Sequence, residues 1–173
     1  LTCTTIPGDP IGIVLRPKSP YLYTVYNGST SNNYGYIAVL AVSSNQIVKT
    51  VQTRTSNPRQ RATGFAMNAT GTEIYVTGDN SVAFFDVASG TVRSYWSEND
   101  YAQAIELHPD DQYAYLASGS APLVRLYDIK HVNALNDKKI DLTGIPTSIT
   151  LGPDLTLAVS SNGGVNSARY DSS

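Results

Sequence analysis

The sequence predicts an all-β protein built from four repeated units, each a small antiparallel sheet of four strands. Three observations predict this fold class. The 173-residue chain is 41% hydrophobic but only 15% charged, with 13 Gly and 9 Pro, which is typical of short strands joined by many turns. Four segments of the chain align with one another, each carrying its turn at the same offset. They recur at a period of roughly 40 to 50 residues, which is typical of repeat architectures.

The first two strands of each unit follow from the aligned segments. These begin at Leu15, Met67, Leu107 and Leu151 and read LRPKSPYLYTV, MNATGTEIYVT, LHPDDQYAYLA and LGPDLTLAVSS, in register without a gap. In each, a short apolar strand enters a turn rich in Pro, Gly, Asp or Asn, and a strand of alternating aromatic or β-branched residues follows. Asp110 and Asp154 are expected to cap their turns by bonding to backbone N–H groups.

A third and a fourth strand complete each unit after a variable loop. The third strands are GYIAVLAV from Gly35, SVAFFDV from Ser81, PLVRLYDI from Pro122 and GVNSARYD from Gly164. Three of them carry an Asp that we expect to be a polar anchor: Asp86, Asp128 and Asp171. The fourth strands are IVKTVQT from Ile47, TVRSYWS from Thr91 and KKIDLTG from Lys138.

The last unit has no fourth strand after it, but the start of the chain supplies a candidate. Residues Leu1 to Pro7, LTCTTIP, match the outer strand of the third unit, IDLTGIP, in residue type. We therefore predict that the N-terminal segment completes the last unit.

Four-stranded antiparallel units at this period are the blades of a β-propeller, in which radial stacking buries both faces of each blade. We predict one propeller domain over residues 1–173, with blades near 11–53, 62–98, 102–143 and 147–173 plus 1–7. Three arrangements stay open. The ring closes on itself with four blades, a second copy completes a half ring, or the blades are a fragment of a larger propeller.

Two segments carry a resemblance to known propeller families. The segment LHPDDQYAYLASGSAPLVRLYDI, residues 107–129, resembles a WD-repeat, with Tyr127-Asp128 in place of the Trp-Asp dipeptide. The segment TGTEIYVTGDNSVAFFDVASGTV, residues 70–92, is similar to the YVTN-type blades of extracellular, periplasmic and lactonase-like propellers. Both resemblances imply the propeller fold. No Gly-His pair precedes an inner strand, and the first unit lacks the Asp.

Charge and composition exclude several classes of function. A net charge of -2 argues against nucleic acid as a partner. No apolar run reaches the roughly 20 residues that span a bilayer, and LTCTTIPGDP lacks the pattern of a signal peptide. Cys3 is the only cysteine, so no internal disulfide forms. Two glycosylation sequons, at Asn27 and Asn68, slightly favour an extracellular or cell-surface location.

Candidates for catalysis are few. The two histidines are His108, in a turn, and His131, in a loop without ligand spacing, so we expect no metal and no cofactor. Glu106 is a weak catalytic candidate, because it stands on an innermost strand where the equivalent residues are Val14, Ala66 and Thr150. The lactonase-like resemblance implies that such a carboxylate lines the central channel and holds a cation or polarises a substrate.

Binding is the function that the sequence favours, because the irregular and charged residues collect on the loops of one face. Tyr and Arg at a loop rim are typical of contact surfaces. The predicted binding residues are Tyr34, Tyr36, Arg54, Arg59, Arg61, Asp79, Asp100 and Tyr101. We expect a non-enzymatic module that contacts a protein or cell-surface partner through an acidic or anionic group. The alternatives are a lactonase-like or metal-assisted hydrolase using Glu106, and a structural subunit assembling edge to edge.

Overall fold

A computed structural model of the chain describes residues 4–29, 34–53, 61–79, 81–97, 101–130 and 133–169. Within these ranges the chain forms fifteen strands in four antiparallel sheets, and no helix. Each sheet is a meander in which strands consecutive in sequence are neighbours. The predicted all-β propeller of four blades is confirmed.

The four sheets, called blades 1 to 4 below, follow one another along the chain. Blade 1 contains β1 (Gly8–Leu15), β2 (Tyr21–Gly28), β3 (Gly35–Ala41) and β4 (Gln46–Gln52). Blade 2 contains β5 (Ala62–Met67), β6 (Glu73–Gly78), β7 (Ser81–Asp86) and β8 (Thr91–Ser97). Blade 3 contains β9 (Ala102–Leu107), β10 (Tyr113–Ser118), β11 (Leu123–Asp128) and β12 (Asn133–Asp141). Blade 4 contains β13 (Pro146–Leu151), β14 (Thr156–Ser161) and β15 (Gly164–Arg169).

The turns between the first and second strands close as the sequence predicts. In every blade a backbone N–H donates to the carbonyl three residues earlier; the donors are Ser19, Gly71, Asp111 and Leu155. Asp110 Oδ1 accepts from the Gln112 N–H at 2.8 Å, and Asp154 Oδ1 from the Thr156 N–H at 3.1 Å. Both carboxylates therefore cap their turns, as expected.

The Asp at the end of the third strand is a second repeated cap. Asp86 Oδ1 accepts from the backbone N–H of Ser89 at 2.7 Å, and Asp128 Oδ1 accepts from that of Lys130 at 3.0 Å. The bond from Ser89 lowers the pKa of Asp86, because it stabilises the charged carboxylate. Asp171 lies outside the described residues.

Two details of the strands differ from the prediction. The fourth segment is not in gapless register: Leu151 pairs with Leu157, whereas Leu107 pairs with Ala114, so the blade 4 turn is one residue shorter. The outer strand of blade 3 starts at Asn133 instead of Lys138. Its pairing with β11 shifts between Arg125 and Tyr127, and such an irregularity lets one strand carry extra residues that sequence alignment assigns to a loop.

Each innermost strand contains a β-bulge at the same offset. The extra residues are Ile11 in β1, Thr63 in β5, Gln103 in β9 and Thr147 in β13. A bulge bends its strand and re-aims the side chain of the extra residue. In blade 2 the re-aimed Thr63 Oγ1 donates to the Ala102 carbonyl of blade 3 at 2.5 Å. The bulge thereby links neighbouring blades near the propeller axis.

Consecutive blades pack through apolar clusters, each called a junction below. The junction of blades 1 and 2 contains Ile37 and Phe85, that of blades 2 and 3 contains Val82 and Ile105, and that of blades 3 and 4 contains Val124, Ile149 and Leu157. Both faces of blades 2 and 3 are therefore buried. This explains why the alternation of apolar and polar residues along these strands is weak.

The start of the described chain lies against blade 1. Thr4 Oγ1 donates to the Asn45 carbonyl, and Ile6 packs with Tyr26, Ala38 and Leu40. Thr4–Pro7 form no ladder with β15, and residues 1–3 lie outside the described ranges. Completion of blade 4 by Leu1–Pro7 stays a prediction.

Innermost strands of neighbouring blades are in contact at all three junctions: β1 with β5, β5 with β9, and β9 with β13. Between β13 and β1 the described ranges contain no contact of comparable extent. In the described residues, the innermost strands therefore link blade 1 to blade 2, blade 2 to blade 3 and blade 3 to blade 4.

Candidate functional site

The irregular connections of the chain meet on one face, called the loop face below. In blades 1, 3 and 4 a backbone hydrogen bond joins the loop between the second and third strands to the connection that enters or leaves the blade. Examples are Thr53 N–H to the Gly35 carbonyl at 2.9 Å and Gly119 N–H to the Tyr101 carbonyl at 2.6 Å. Leu142 N–H likewise donates to the Pro122 carbonyl at 2.7 Å. These bonds place the variable loops on a rigid scaffold, where binding residues are commonly found.

Three of the predicted binding residues lie together where blades 2 and 3 meet. Burial raises the pKa of the Tyr101 phenol, the negative charge of Asp79 adds to the rise, and the positive charge of Arg61 opposes it. Asp79 and Arg61 are therefore each within electrostatic reach of Tyr101, although the three residues come from three different connections. Arg54, Arg59 and Asp100 lie outside the described residues.

Tyr101 is held in place by the loop beneath it. A Cβ atom at Gly119 would stand 1.9 Å from Cδ1 of the Tyr101 ring, so only glycine leaves room for the ring there. The ring borders a cleft of about 10 Å³ that Ala102, Leu116, Ser118, Arg125 and Tyr127 also line. That volume admits a single water molecule, so the described residues form a shallow contact surface here.

Tyr34 and Tyr36 belong to blade 1, away from the junction of blades 2 and 3. The Tyr34 carbonyl accepts a hydrogen bond from the Gly28 N–H at 2.9 Å. The Tyr36 ring stacks on Tyr26, with centroids 5.3 Å apart and planes 19° apart. Tyr36 also packs against the cluster that Ile6 covers. Its ring therefore contributes to blade packing, which the sequence analysis did not assign to it.

Asn27 has a structural role that sequence reasoning missed. Its Nδ2 donates to the Ala62 carbonyl at 3.0 Å, its Oδ1 accepts from the Ala62 N–H at 2.7 Å, and the residue is 1% exposed. One side chain thus satisfies both backbone groups of the residue that begins blade 2. The repeat offered one signal for this role, because equivalent positions at the end of the second strand carry Asn27, Asp79, Gly119 and Asn162 in the four blades.

The second sequon asparagine is also engaged in the fold. Asn68 is buried, and its Oδ1 accepts from the backbone N–H groups of Thr72 at 2.8 Å and Glu73 at 3.0 Å. Its Nδ2 donates to Thr72 Oγ1 at 2.9 Å. A glycan on the amide nitrogen of Asn27 or Asn68 would displace a bond that the folded chain uses.

Glu106 lies on the face of β9 that packs towards blade 4. It shares this face with Ala104, which contacts the apolar cluster of blades 3 and 4. Its counterparts Val14 and Ala66 pack in the same way against the next blade. No hydrogen bond or ion pair from another described residue reaches the carboxylate, and burial raises its pKa. The described residues contain no group of three or more His, Cys, Asp or Glu able to hold a metal.

The raised pKa of Glu106 predicts a pH-dependent stability. Burial disfavours the ionised form in the folded chain, so the penalty is present above the folded pKa and absent below the unfolded value of about 4.3. Glu106→Gln is therefore expected to raise the melting temperature near neutral pH and to leave it unchanged below about pH 4. Thermal unfolding at the two pH values measures the difference.

The exposed carboxylate of Asp9 provides a control for this experiment. Asp9→Asn removes an exposed carboxylate on the same kind of strand and is expected to change the melting temperature little near neutral pH. If Glu106→Gln raised the melting temperature equally at both pH values, the prediction would be wrong, since the stabilisation would then not depend on ionisation of Glu106.

No protein-family model matches the chain, and no curated protein matches its sequence. Among solved structures it is similar to the hydrazine synthase of Kuenenia stuttgartiensis, with a TM-score of 0.73 and 17% sequence identity. The match covers 97% of this chain and 47% of that chain, so the chain spans about half the length of its structural neighbour. The likeness shows the fold alone. The described residues contain no helix long and apolar enough to cross a membrane.

Proposed function

We propose that this chain is a non-enzymatic binding module that presents the loop face, centred where blades 2 and 3 meet, to an acidic segment of a protein partner. The observation that carries the proposal is that the charges of Arg61 and Asp79 act on the Tyr101 phenol, whose ring borders a shallow cleft. Tyr and Arg are the residue types that contribute most to protein contacts.

The chemistry of these side chains supports an acidic partner. Arg61 is exposed, and its guanidinium carries forked donors that match a carboxylate. Arg54 and Arg59 precede it in the same connection and add positive charge to the sequence there. Tyr101 is partly buried, so its ring offers apolar area at low entropic cost. The negative charge of Asp79 acts on Tyr101 and favours one orientation of an incoming charged group.

The resemblance of the blades to WD-repeat and YVTN-type propellers supports the same class of function, because such scaffolds carry variable loops on rigid sheets. A cell-surface or extracellular setting is part of the proposal and rests on the YVTN-type resemblance.

Binding of a labelled poly-glutamate peptide, followed by fluorescence anisotropy, tests the proposal. Arg61→Ala is expected to weaken binding by about 5-fold to 30-fold, the loss typical of a contact worth 1 to 2 kcal/mol. Arg61→Lys should recover part of the lost affinity, because lysine restores the positive charge but not the paired N–H donors of the guanidinium. Tyr101→Phe keeps the ring and should bind as the parent does.

Lys18 supplies the matched control, since it lies in the turn between β1 and β2, outside the loop face. Lys18→Ala should leave the affinity unchanged. If Lys18→Ala and Arg61→Ala weakened peptide binding equally, the attraction would be non-specific. If the peptide did not bind the parent chain at all, the proposed acidic partner would be wrong.

One observation favours the hydrolase alternative, namely the raised pKa of a partly buried Glu106 without an ionic partner among the described residues. Thermal unfolding with added Ca²⁺, Mg²⁺ or Zn²⁺ distinguishes the two functions. A metal-dependent rise in melting temperature that Glu106→Gln abolishes would support the hydrolase. A flat response would count against it.

A further inference from the structure

The first two strands of blade 2 carry a pair of opposite charges where they meet the loop face. Ala62 pairs with Gly78 at the end of the β5–β6 ladder, so Arg61 and Asp79 are the next residues on these two neighbouring strands. A Cβ atom at Gly78 would stand 2.6 Å from the Arg61 carbonyl oxygen, so the two strands stay close beyond the ladder. Arg61 and Asp79 therefore lie next to each other at this end of the hairpin.

The repeat indicates which way the Asp79 side chain points. Asn27 occupies the equivalent position in blade 1, and its amide bonds to Ala62, the first strand residue of blade 2. By the same arrangement Asp79 faces the start of blade 3, where Ala102 follows Tyr101. In agreement with this position, the pKa of the Tyr101 phenol is raised first by burial and then by the negative charge of Asp79.

Blade 2 is the one blade with both signs of charge at this pair of positions. The equivalent pairs are Asp9 with Asn27 in blade 1, Tyr101 with Gly119 in blade 3 and Ile145 with Asn162 in blade 4. The Tyr101 ring, which packs over Gly119, thus lies beside a positive and a negative group that one hairpin of the preceding blade supplies.

This arrangement opposes a partner segment that carries negative charge alone. A carboxylate that approaches the Arg61 guanidinium also approaches Asp79, and like charges repel more strongly near a protein surface than in bulk water. The attraction between two side chains of opposite charge at a surface is weak, so a partner can compete for both groups. A carboxylate has about four acceptor sites, so Asp79 can bond within the chain and still attract a cation.

We propose that Asp79 determines specificity at the loop face, and that the segment bound there carries an acidic and a basic residue next to each other. The acidic residue binds Arg61, and the basic residue binds Asp79. This specificity rests on the proposed function, because it concerns the partner of the same site. The juxtaposition that carries it is the Arg61–Asp79 pair beside the Tyr101 ring, on which the aliphatic stem of a lysine or arginine can pack.

Fluorescence anisotropy with two labelled peptides of equal length tests the proposal. One peptide is poly-glutamate, and the other alternates Glu and Lys. The parent chain is expected to bind the alternating peptide about 2-fold to 5-fold more tightly, the ratio that one surface charge pair typically gives.

Asp79→Asn separates specificity from stability, because it should have opposite effects on the two peptides. Removal of the negative charge is expected to strengthen binding of poly-glutamate and to weaken binding of the alternating peptide, each by about 2-fold to 5-fold. A change that only disturbed the fold would weaken both. Asp154→Asn is the matched control, because it changes the net charge equally in the turn between β13 and β14, where asparagine still caps the Thr156 N–H. It should leave both affinities unchanged.

The outcomes separate the role of Asp79 from the proposed function. If the parent chain bound both peptides equally, and Asp79→Asn changed both affinities in the same direction, the role of Asp79 would be wrong while binding of an acidic partner would stand. If Asp154→Asn acted as Asp79→Asn does, the preference would come from net charge, and the role of Asp79 would again be wrong. If neither peptide bound, both proposals would be wrong.

Discussion

Replacement of Asn27 by Ala is expected to lower the free energy of unfolding by about 2 to 4 kcal/mol, because two buried backbone groups lose their partner. The amide bridges both the N–H and the carbonyl of Ala62, at 2.7 and 3.0 Å. Water does not replace it easily, since Asn27 is almost fully buried. Urea unfolding, followed by fluorescence or circular dichroism, measures the change.

The repeat supplies a matched control for this variant. Asn162 occupies the equivalent position in blade 4, but it is exposed, and no described blade follows it. Asn162→Ala is therefore expected to change the free energy of unfolding by no more than about 0.5 kcal/mol. Similar costs for the two variants would show that the stabilising effect is local to the strand end and not a link between blades.

The features predicted correctly from sequence were those that repeat. Apolar positions, turns and the capping residues Asp86, Asp110 and Asp154 recur at fixed offsets, because each blade makes the same local hydrogen bonds. A single copy of such a pattern predicts little, whereas four copies predict the architecture. The four blades could therefore be predicted because each unit repeats the same local pattern.

The features that sequence reasoning missed depend on contacts between blades. The bulge at Thr63 is invisible in an alignment of single units, since its register is set by pairing with β6 and by the bond to Ala102. From sequence, Asn27 was interpreted as part of a glycosylation sequon, because no neighbouring residue in the sequence shows that its amide bonds to Ala62. The shortened turn of blade 4 went unnoticed because its alignment rested on residue type alone.

The candidate site was predictable only in part for the same reason. Arg61, Asp79 and Tyr101 come from three separate connections, and their proximity follows from how blades 2 and 3 stack. Tyr36 is a residue type that is common at contact surfaces, but its ring stacks on Tyr26. A sequence identifies which residue types suit binding. The stacking of the blades decides which of those side chains are used for packing between and within the blades.

The largest effect from packing is expected for Phe85→Ala, at about 3 to 5 kcal/mol of lost unfolding free energy. Phe85 is 1% exposed and lies in the junction of blades 1 and 2. Its ring meets Tyr23 edge to face, with centroids 6.3 Å apart, so truncation removes an aromatic contact as well as buried area. A loss of this size is a large part of the 5 to 15 kcal/mol that holds a typical domain together.

Comparison with an exposed aromatic separates junction packing from the general effect of removing a ring. Tyr21, at the start of β2, is 38% exposed, so Tyr21→Ala should cost less than about half as much as Phe85→Ala. Phe85→Leu should recover most of the stability, because it refills much of the cavity. If Phe85→Ala and Tyr21→Ala unfolded at the same urea concentration, the junction would not be the main source of stability, because each blade would then hold its fold without its neighbour.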